Sequence, residues 1–515
     1  MTAPPGSPAD TQPAPSRGLL HAVLRGSGWQ AAAQVMPLAV NILMTPIIIS
    51  ALGVDRYGLF LLVNIIATIL TAADGGIGGA ALRYFSVYAG ERDVVRTTRL
   101  LVTTMLLITA MAVAFVGAFF AVAPAGLGLL QIPDALLAEG AFLLRTLIVI
   151  TAVAQLRGLF AAILNAHGRF ALTSMTLNLG YVIYIVGVLL TIRVDAGLYG
   201  IAITMMVQQA VATVLIVPAS FRHLQWRAVG LMSGAELREF WRYALRTQWA
   251  SLMLLLTLQT DAIVVGAFLP VRQVAYYGTG ASFALQLRNV PLNAVIPMQS
   301  ALGQAVGSRG AAEARADFER LQRIWVIGTT GWGAVAIAAA WFGITAWLGP
   351  DFAISGVVAI IMLVAYQFTM WADVLVVWTQ SLGRPEIEAR CASVGLVVNL
   401  VLTLALVVPF GIIGTVVATA ASQVVIALLL LRMARRRLPG HTRSFLREVP
   451  VLPAVVAALT VLALEFAARP FVPDGSLGLV ISGLVAAPGL AVYATMAYGP
   501  GTTWRFVRNR VRTGS

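Results

Sequence analysis

The sequence predicts an all-α polytopic membrane protein with about 14 transmembrane helices, and three observations predict it. Apolar residues make up 59% of the 515 residues and charged residues only 11%, against about 25% charged in soluble domains. The solvent that meets so much apolar surface is lipid. Windows long enough to cross about 30 Å of hydrocarbon recur along the whole chain. The third observation is the distribution of the basic residues, all 35 of which are arginine.

Residues 1–18, MTAPPGSPADTQPAPSRG, lack an apolar centre and a basic start. They are expected to be a disordered cytoplasmic tail, not a signal peptide. Spans at 28–50 and 58–79 are separated by the tight turn LGVDRYG. The second runs into Gly75, Gly76, Gly78 and Gly79 and then a basic amphipathic segment ending near Arg99. Spans at 100–123, 140–163, 171–192 and 198–219 follow. After a basic loop come 247–268, 275–298, 322–347, 355–380, 389–409 and 412–431, then 450–468 and 477–498. Apolar residues lie all round most of these segments, as where lipid and neighbouring helices share the burial. Backbone groups in lipid must be satisfied internally, so the spans are helices. The expected division is 19–246 for a first lobe, 247–432 for a second, 433–498 for two extra spans and 499–515 for a basic cytoplasmic tail.

An even number of spans puts both termini on one side. Only Arg56, Arg193, Arg272 and Arg469 fall in the loops of the opposite side, and Arg145, Arg157 and Arg288 lie within spans. The other 28 of the 35 arginines belong to the tails and to alternate loops. By the positive-inside rule both termini are cytoplasmic. The cluster Arg432, Arg435, Arg436 and Arg437 reads as a topology and anionic-lipid signal. A nucleic-acid role would need a folded soluble surface, so none is expected.

Chemistry is sparse. The single cysteine, Cys391, excludes an intramolecular disulfide framework. His21, His167, His223 and His441 all sit in loops or at the cytoplasmic edge, so no metal site is expected. GSGWQA at 26–31 lacks the Gly-Lys-Ser/Thr ending of a nucleotide loop. The longest external loop, 124–139, leaves no room for the catalytic loops of membrane glycosyltransferases, polymerases or ligases. The expectation is a transporter without cofactor and without enzyme chemistry.

An offset of 220 residues takes Tyr57-Gly58 to Tyr277-Gly278 and Ala81-Leu82 to Ala301-Leu302. The order of features repeats with it: span, short turn ending in Tyr-Gly, span, basic amphipathic segment. The second turn, LPVRQVAYYG, carries three extra residues, and the glycine cluster has no counterpart. Six spans per copy make the repeats parallel.

LGVDRYGLF followed by ADGGIGGAALRYFSVYAGERD resembles the first two helices of polysaccharide-type, lipid-linked oligosaccharide flippases. These belong to the multidrug/oligosaccharidyl-lipid/polysaccharide transporter superfamily. TDAIVVGAFL at 260–269 and QSALGQAVGSRGAAEARADFERLQR at 299–323 look like the matching parts of its second lobe. The resemblance implies two six-helix lobes rocking about a central cavity, with a lipid-carried glycan turned over from inside to outside. It further implies a lipid-linked glycan as substrate, a polysaccharide polymerase and export machinery as partners, and coupling to an ion gradient or the membrane potential.

A charge at mid-membrane costs at least ~2.5–3.5 kcal/mol, so depth separates functional candidates from anchors. Arg288 lies roughly 16 Å from the turn at Tyr277, and Asp261 roughly 14 Å from Pro270 on the preceding antiparallel span. They read either as an ion pair welding the two spans or as a cavity cation for a pyrophosphate with its partner or ion-coupling carboxylate. Arg157 and Arg145 are either snorkelling or cavity cations. Arg83 and Arg25 sit at inner helix ends, where lipid and substrate phosphates attract them equally. Asp373, at mid-depth, is either an ion-coupling carboxylate or the partner of an interior arginine, and Asp74 either caps the following helix or joins the coupling set. Asn41, Gln34 and Gln259 are candidates for a sugar-lined cavity; interhelical hydrogen bonding would use the same groups. Glu465 and Arg469 are four apart near an outer helix end and read as a local pair. The substrate that the resemblance implies, and that this set would serve, is a polyprenyl-pyrophosphate-linked oligosaccharide. The rivals are a multidrug exporter of the same superfamily and a lipid-linked peptidoglycan-precursor flippase.

Overall fold

Lipid leaves the backbone one economical solution, and the computed structural model adopts it throughout: helices, with no strand among the described residues. Those are residue 36 and residues 39–72, 76–128, 132–292, 295–382, 384, 386–437 and 449–499. In order the helices are α1 (Ala39–Leu52), α2 (Val54–Ala72), α3 (Ile77–Glu91), α4 (Val94–Gly128) and α5 (Asp134–Ala166). Then come α6 (Phe170–Arg193), α7 (Gly197–Ser220), α8 (Gly234–Phe268), α9 (Val271–Leu292) and α10 (Val295–Leu348). The last four are α11 (Ala353–Ser381), α12 (Glu386–Arg437), α13 (Val451–Ala468) and α14 (Ser476–Tyr498).

Among the described residues nine helices are long and apolar enough to cross a membrane. Two of the long ones are broken at a glycine in a conformation that other residues rarely adopt. α10 breaks at Gly310 (φ 80°, ψ 164°) and α12 at Gly411 (φ 58°, ψ −140°). The break in α12 falls between the spans expected at 389–409 and 412–431. α3 is the basic segment after the glycine cluster; its N-cap position is Gly76, with φ 73° and no side-chain cap. Asp74, the expected cap, lies outside the described residues.

Among the described residues three large apolar cores organise the packing, and a small fourth joins Val335 and Ala338 of α10 to Val461 of α13 and Ala486 of α14. One joins both halves of the chain, from Tyr57, Leu59 and Leu62 of α2 to Val271, Val274 and Tyr277 of α9 and Phe352 and Val358 beside and on α11. It lies toward the end of the bundle that carries the LGVDRYG turn, the arginine-poor end. Toward the arginine-rich end the halves have separate cores. Phe85 of α3, Leu100 of α4 and Phe160 of α5 form one; Phe318 of α10, Trp378 of α11 and Ile387 of α12 form the other. α8 crosses between halves: Phe240 and Ala244 belong to the first of these separate cores, while Ala262 and Val265 belong to the shared one. α13 and α14 pack on each other and against α10.

α8 starts with a capping box, which the sequence SGAE at 233–236 encodes. The Glu236 backbone N–H donates to Ser233 Oγ at 3.3 Å, and the Glu236 carboxylate accepts from Ser233 N at 2.9 Å and Oγ at 2.8 Å. The bonds from Ser233 hold the Glu236 carboxyl below its ordinary range. Ser233→Ala is expected to cost about 1 kcal/mol of stability. Because the folded-state value is depressed, that contribution is present above the unfolded value and is lost as pH falls through the folded one. Thermal unfolding in detergent checks it: wild type and variant should differ at neutral pH and converge in acid.

Candidate functional site

A cavity of about 370 Å³ lies between the halves, walled by α1, α2, α9, α10 and α14. Its surface is mostly apolar and aromatic, with Leu61, Phe283, Trp332, Val335, Trp347, Leu479 and Leu490. A few polar groups, Asn41, Thr45, Ser282, Gln286 and Ser482, project into it. The lining runs from Thr279 to Val290 on α9, roughly 16 Å along the helix axis. Small residues Ser482, Gly483, Ala486 and Ala487 make the α14 wall, and exposed Val290 and Asn41 sit at its rim. Two tryptophans fix the frame: Trp347 Nε1 donates to the Ile42 carbonyl at 2.8 Å and Trp332 Nε1 to that of Leu287 at 2.9 Å. Of the residues expected to line a cavity, the structure places Asn41 here.

Asp261 is 2% exposed, and its carboxylate does not pair with Arg288. It accepts from Tyr277 Oη at 3.2 Å, from Thr403 Oγ1 at 3.3 Å and from Thr419 Oγ1. The register of α8 decides this: position 261 turns toward the two limbs of α12. Asn399 donates from Nδ2 to Thr419 Oγ1 at 3.1 Å, while its Oδ1 is buried without a hydrogen-bond partner. Four oxygen-bearing side chains from two helices thus converge on one carboxylate, and one oxygen is left unsatisfied. Hard oxygen donors of this kind suit a small hard cation or a proton. No cluster of three or more His, Cys, Asp or Glu side chains occurs among the described residues. Sequence reading missed Asn399, Thr403 and Thr419; the signal was their i, i+4 spacing, Asn399/Thr403 and Thr415/Thr419, on opposite limbs of one helix pair.

Arg288 stands instead against α11. Its guanidinium carbon is 5.1 Å from the centroid of the Tyr366 ring. Asp373, two turns further along α11, lies within its electrostatic reach. Arg288 Nε and Asp373 Oδ2 are both buried without a hydrogen-bond partner. Arg157, half-buried on α5, likewise has a partnerless Nε, and Arg145 is half-buried three turns earlier on the same helix. Gln259 is half-buried on α8, a helix that does not line the cavity. Arg83 falls on α3, whereas Arg25 and Gln34 lie outside the described residues.

The expected Glu465–Arg469 pair does not form. The Glu465 carboxylate turns to α14 and accepts from Ser482 Oγ at 2.7 Å. Arg469 lies beyond the end of α13 and stacks over Trp341, 4.6 Å from the ring centroid. At the same arginine-poor end the two turns meet: Arg272 Nε reaches Asp55 at 3.2 Å, and Arg56 holds Glu139 of α5 at 2.9 Å.

No family model matches the chain, and no curated protein matches it in sequence. Solved structures do match in fold. The lipid II flippase MurJ in an inward closed conformation superposes with a TM-score of 0.69 at 13% identity, covering 92% of this chain and 99% of that one. An inward-facing multidrug resistance transporter of the MATE family, in the MOP superfamily, gives 0.64 at 16%, covering 79% and 94%. A MOP superfamily transporter from Pyrococcus furiosus gives 0.58 at 17%, covering 82% and 96%. The chain therefore has the fold of the MOP-superfamily transporters.

Proposed function

We propose that this chain is a flippase that carries a polyprenyl-pyrophosphate-linked oligosaccharide from the arginine-rich to the arginine-poor face of a bacterial cytoplasmic membrane. Two six-helix lobes, 19–246 and 247–432, would alternate about the cleft between them. The observation that carries the reading is the mostly apolar cavity with α14 as one wall. A long apolar trench with a few polar groups suits a lipid carrier better than a compact organic cation. The similarity to a lipid II flippase extends over 92% of this chain and that to multidrug resistance transporters over 79–82%, which favours a lipid-carried substrate.

The charges fit the same substrate. Arg157 and Arg288 keep guanidinium nitrogens without partners, and an incoming pyrophosphate would satisfy them through charge-assisted bonds. Neither lines the apolar cavity, so head group and tail would occupy different parts of the protein. Asp261, with Asn399, Thr403 and Thr419, would hold the coupling cation. A peptidoglycan-precursor flippase stays as a second reading because of the MurJ likeness; accumulation of peptidoglycan precursor on the inner face after depletion would select it.

Vesicles loaded with a labelled lipid-linked glycan test the proposal. Wild type should expose the glycan to an external probe, and Ala486→Trp, which fills the trench, should slow that exposure at least tenfold. Export of organic cations with no glycan movement would remove the reading in favour of a multidrug exporter.

A further inference from the structure

The segment 221–233, which links α7 to α8, is short, irregular and unusually apolar for a loop. Leu224 and Met232 turn inward and join the core of the first half. Phe221 before them and Trp226, Val229 and Leu231 between them are exposed, Trp226 by 59% and Leu231 by 60%. The segment is nevertheless fixed. Its Gln225 N–H donates to Thr98 Oγ1 and its Met232 N–H to Thr103 Oγ1, each at 3.0 Å, so it is pinned along α4. Phe221 and Trp226 are locked edge to face, 5.0 Å apart.

Two registers say what these exposed side chains face. Val207 and Val214 of α7 and Phe221 just after it recur every seven residues and are all exposed, a stripe in register to meet lipid. On α4, Leu106 and Val113 form such a stripe, and exposed Arg99 heads it at the same spacing. The linker begins at the end of the first stripe. It reaches the head of the second at Gly230, whose Cα side lies against the Arg99 guanidinium. It therefore traces the boundary between hydrocarbon and head groups, on the arginine-rich face. Arg222, its Nε held by the Ala219 carbonyl at 3.1 Å, and exposed Arg227 alternate with the apolar residues. Aromatic rings at head-group depth interleaved with arginines are the chemistry of an anionic lipid surface.

We propose that 221–233 is an anionic-phospholipid site: Trp226, Val229 and Leu231 enter the interfacial layer, and Arg99, Arg222 and Arg227 take the lipid phosphate. Since the segment leads directly into α8, the helix that crosses between halves, lipid bound here holds the entry of that helix on the first half.

The full chain reconstituted in phosphatidylcholine vesicles, with or without phosphatidylglycerol, tests this. With phospholipids brominated near the glycerol end of the acyl chain, wild type should be quenched more than Trp226→Phe, and the difference should grow with phosphatidylglycerol. Phosphatidylglycerol retained through detergent extraction should fall about fivefold for each arginine removed in Arg222→Gln and Arg227→Gln. Trp226 emission quenched by aqueous iodide and not by bromolipid would overturn the proposal, since the face would then meet water or a water-borne partner. Unchanged lipid retention in the double variant would overturn it equally; both side chains are exposed, so loss of fold does not confuse the result.

Discussion

The Asp261→Asn variant is expected to fold and to lose cation-driven transport. Three hydroxyls donate to the wild-type carboxylate, and hydroxyls can rotate to accept from an amide of nearly the same shape. The helices therefore keep their contacts. The charge is what disappears, and the other groups of the cluster, Asn399, Thr403, Thr419 and Tyr277, are neutral at physiological pH. One unit pair at 4 Å with an effective dielectric constant of 20 is worth about 4 kcal/mol, or about a thousandfold in cation affinity. Thr419→Val removes a ligand and leaves the charge, so its loss should be about tenfold. The measurement is substrate movement in vesicles under an imposed sodium or proton gradient, with thermal unfolding as the control for fold. Full gradient-driven movement by Asp261→Asn would show that this cluster is structural.

Much of the architecture is legible in composition because lipid imposes one rule on every span. Hydropathy marks the helices, and arginine marks their ends. The same simplicity hides the site. Most spans are apolar all round, so sequence gives no face to position 261, 288 or 465, and neither the Asp261–Arg288 nor the Glu465–Arg469 pairing forms. Asp261 meets hydroxyls on α12, Arg288 meets Tyr366, and Glu465 meets Ser482. Threonine is nearly silent in a hydropathy profile because its hydroxyl bonds back to its own helix, as Thr419 does to Thr415 at 3.1 Å. Only tertiary packing reveals that its oxygen also faces a carboxylate. Asp261 and Arg288 therefore lie on consecutive helices, α8 and α9, but each meets partners other than the other.

Linking positions 55 and 272 should stop transport. The two halves share one core at the arginine-poor end and have separate cores at the other, so access from the arginine-poor side requires α2 and α9 to part. Asp55 and Arg272 mark that seam, but the pair is about half exposed on both sides and is worth roughly 0–1 kcal/mol. Asp55→Ala should consequently leave transport near wild type. What closes the seam is backbone proximity: a Cβ on Gly58 would lie 2.2 Å from the Val271 carbonyl oxygen. Gly58→Leu should therefore wedge the seam open and lower transport at least tenfold. In a Cys391→Ser background, Asp55→Cys with Arg272→Cys and a short reducible bifunctional thiol reagent should arrest transport, and reductant should restore it. Adding Gly58→Leu should reduce the yield of that cross-link, because the wedge separates the thiols. Undiminished transport by the fully cross-linked chain would mean that the halves move without opening here, and the rocking of lobes would have to be given up.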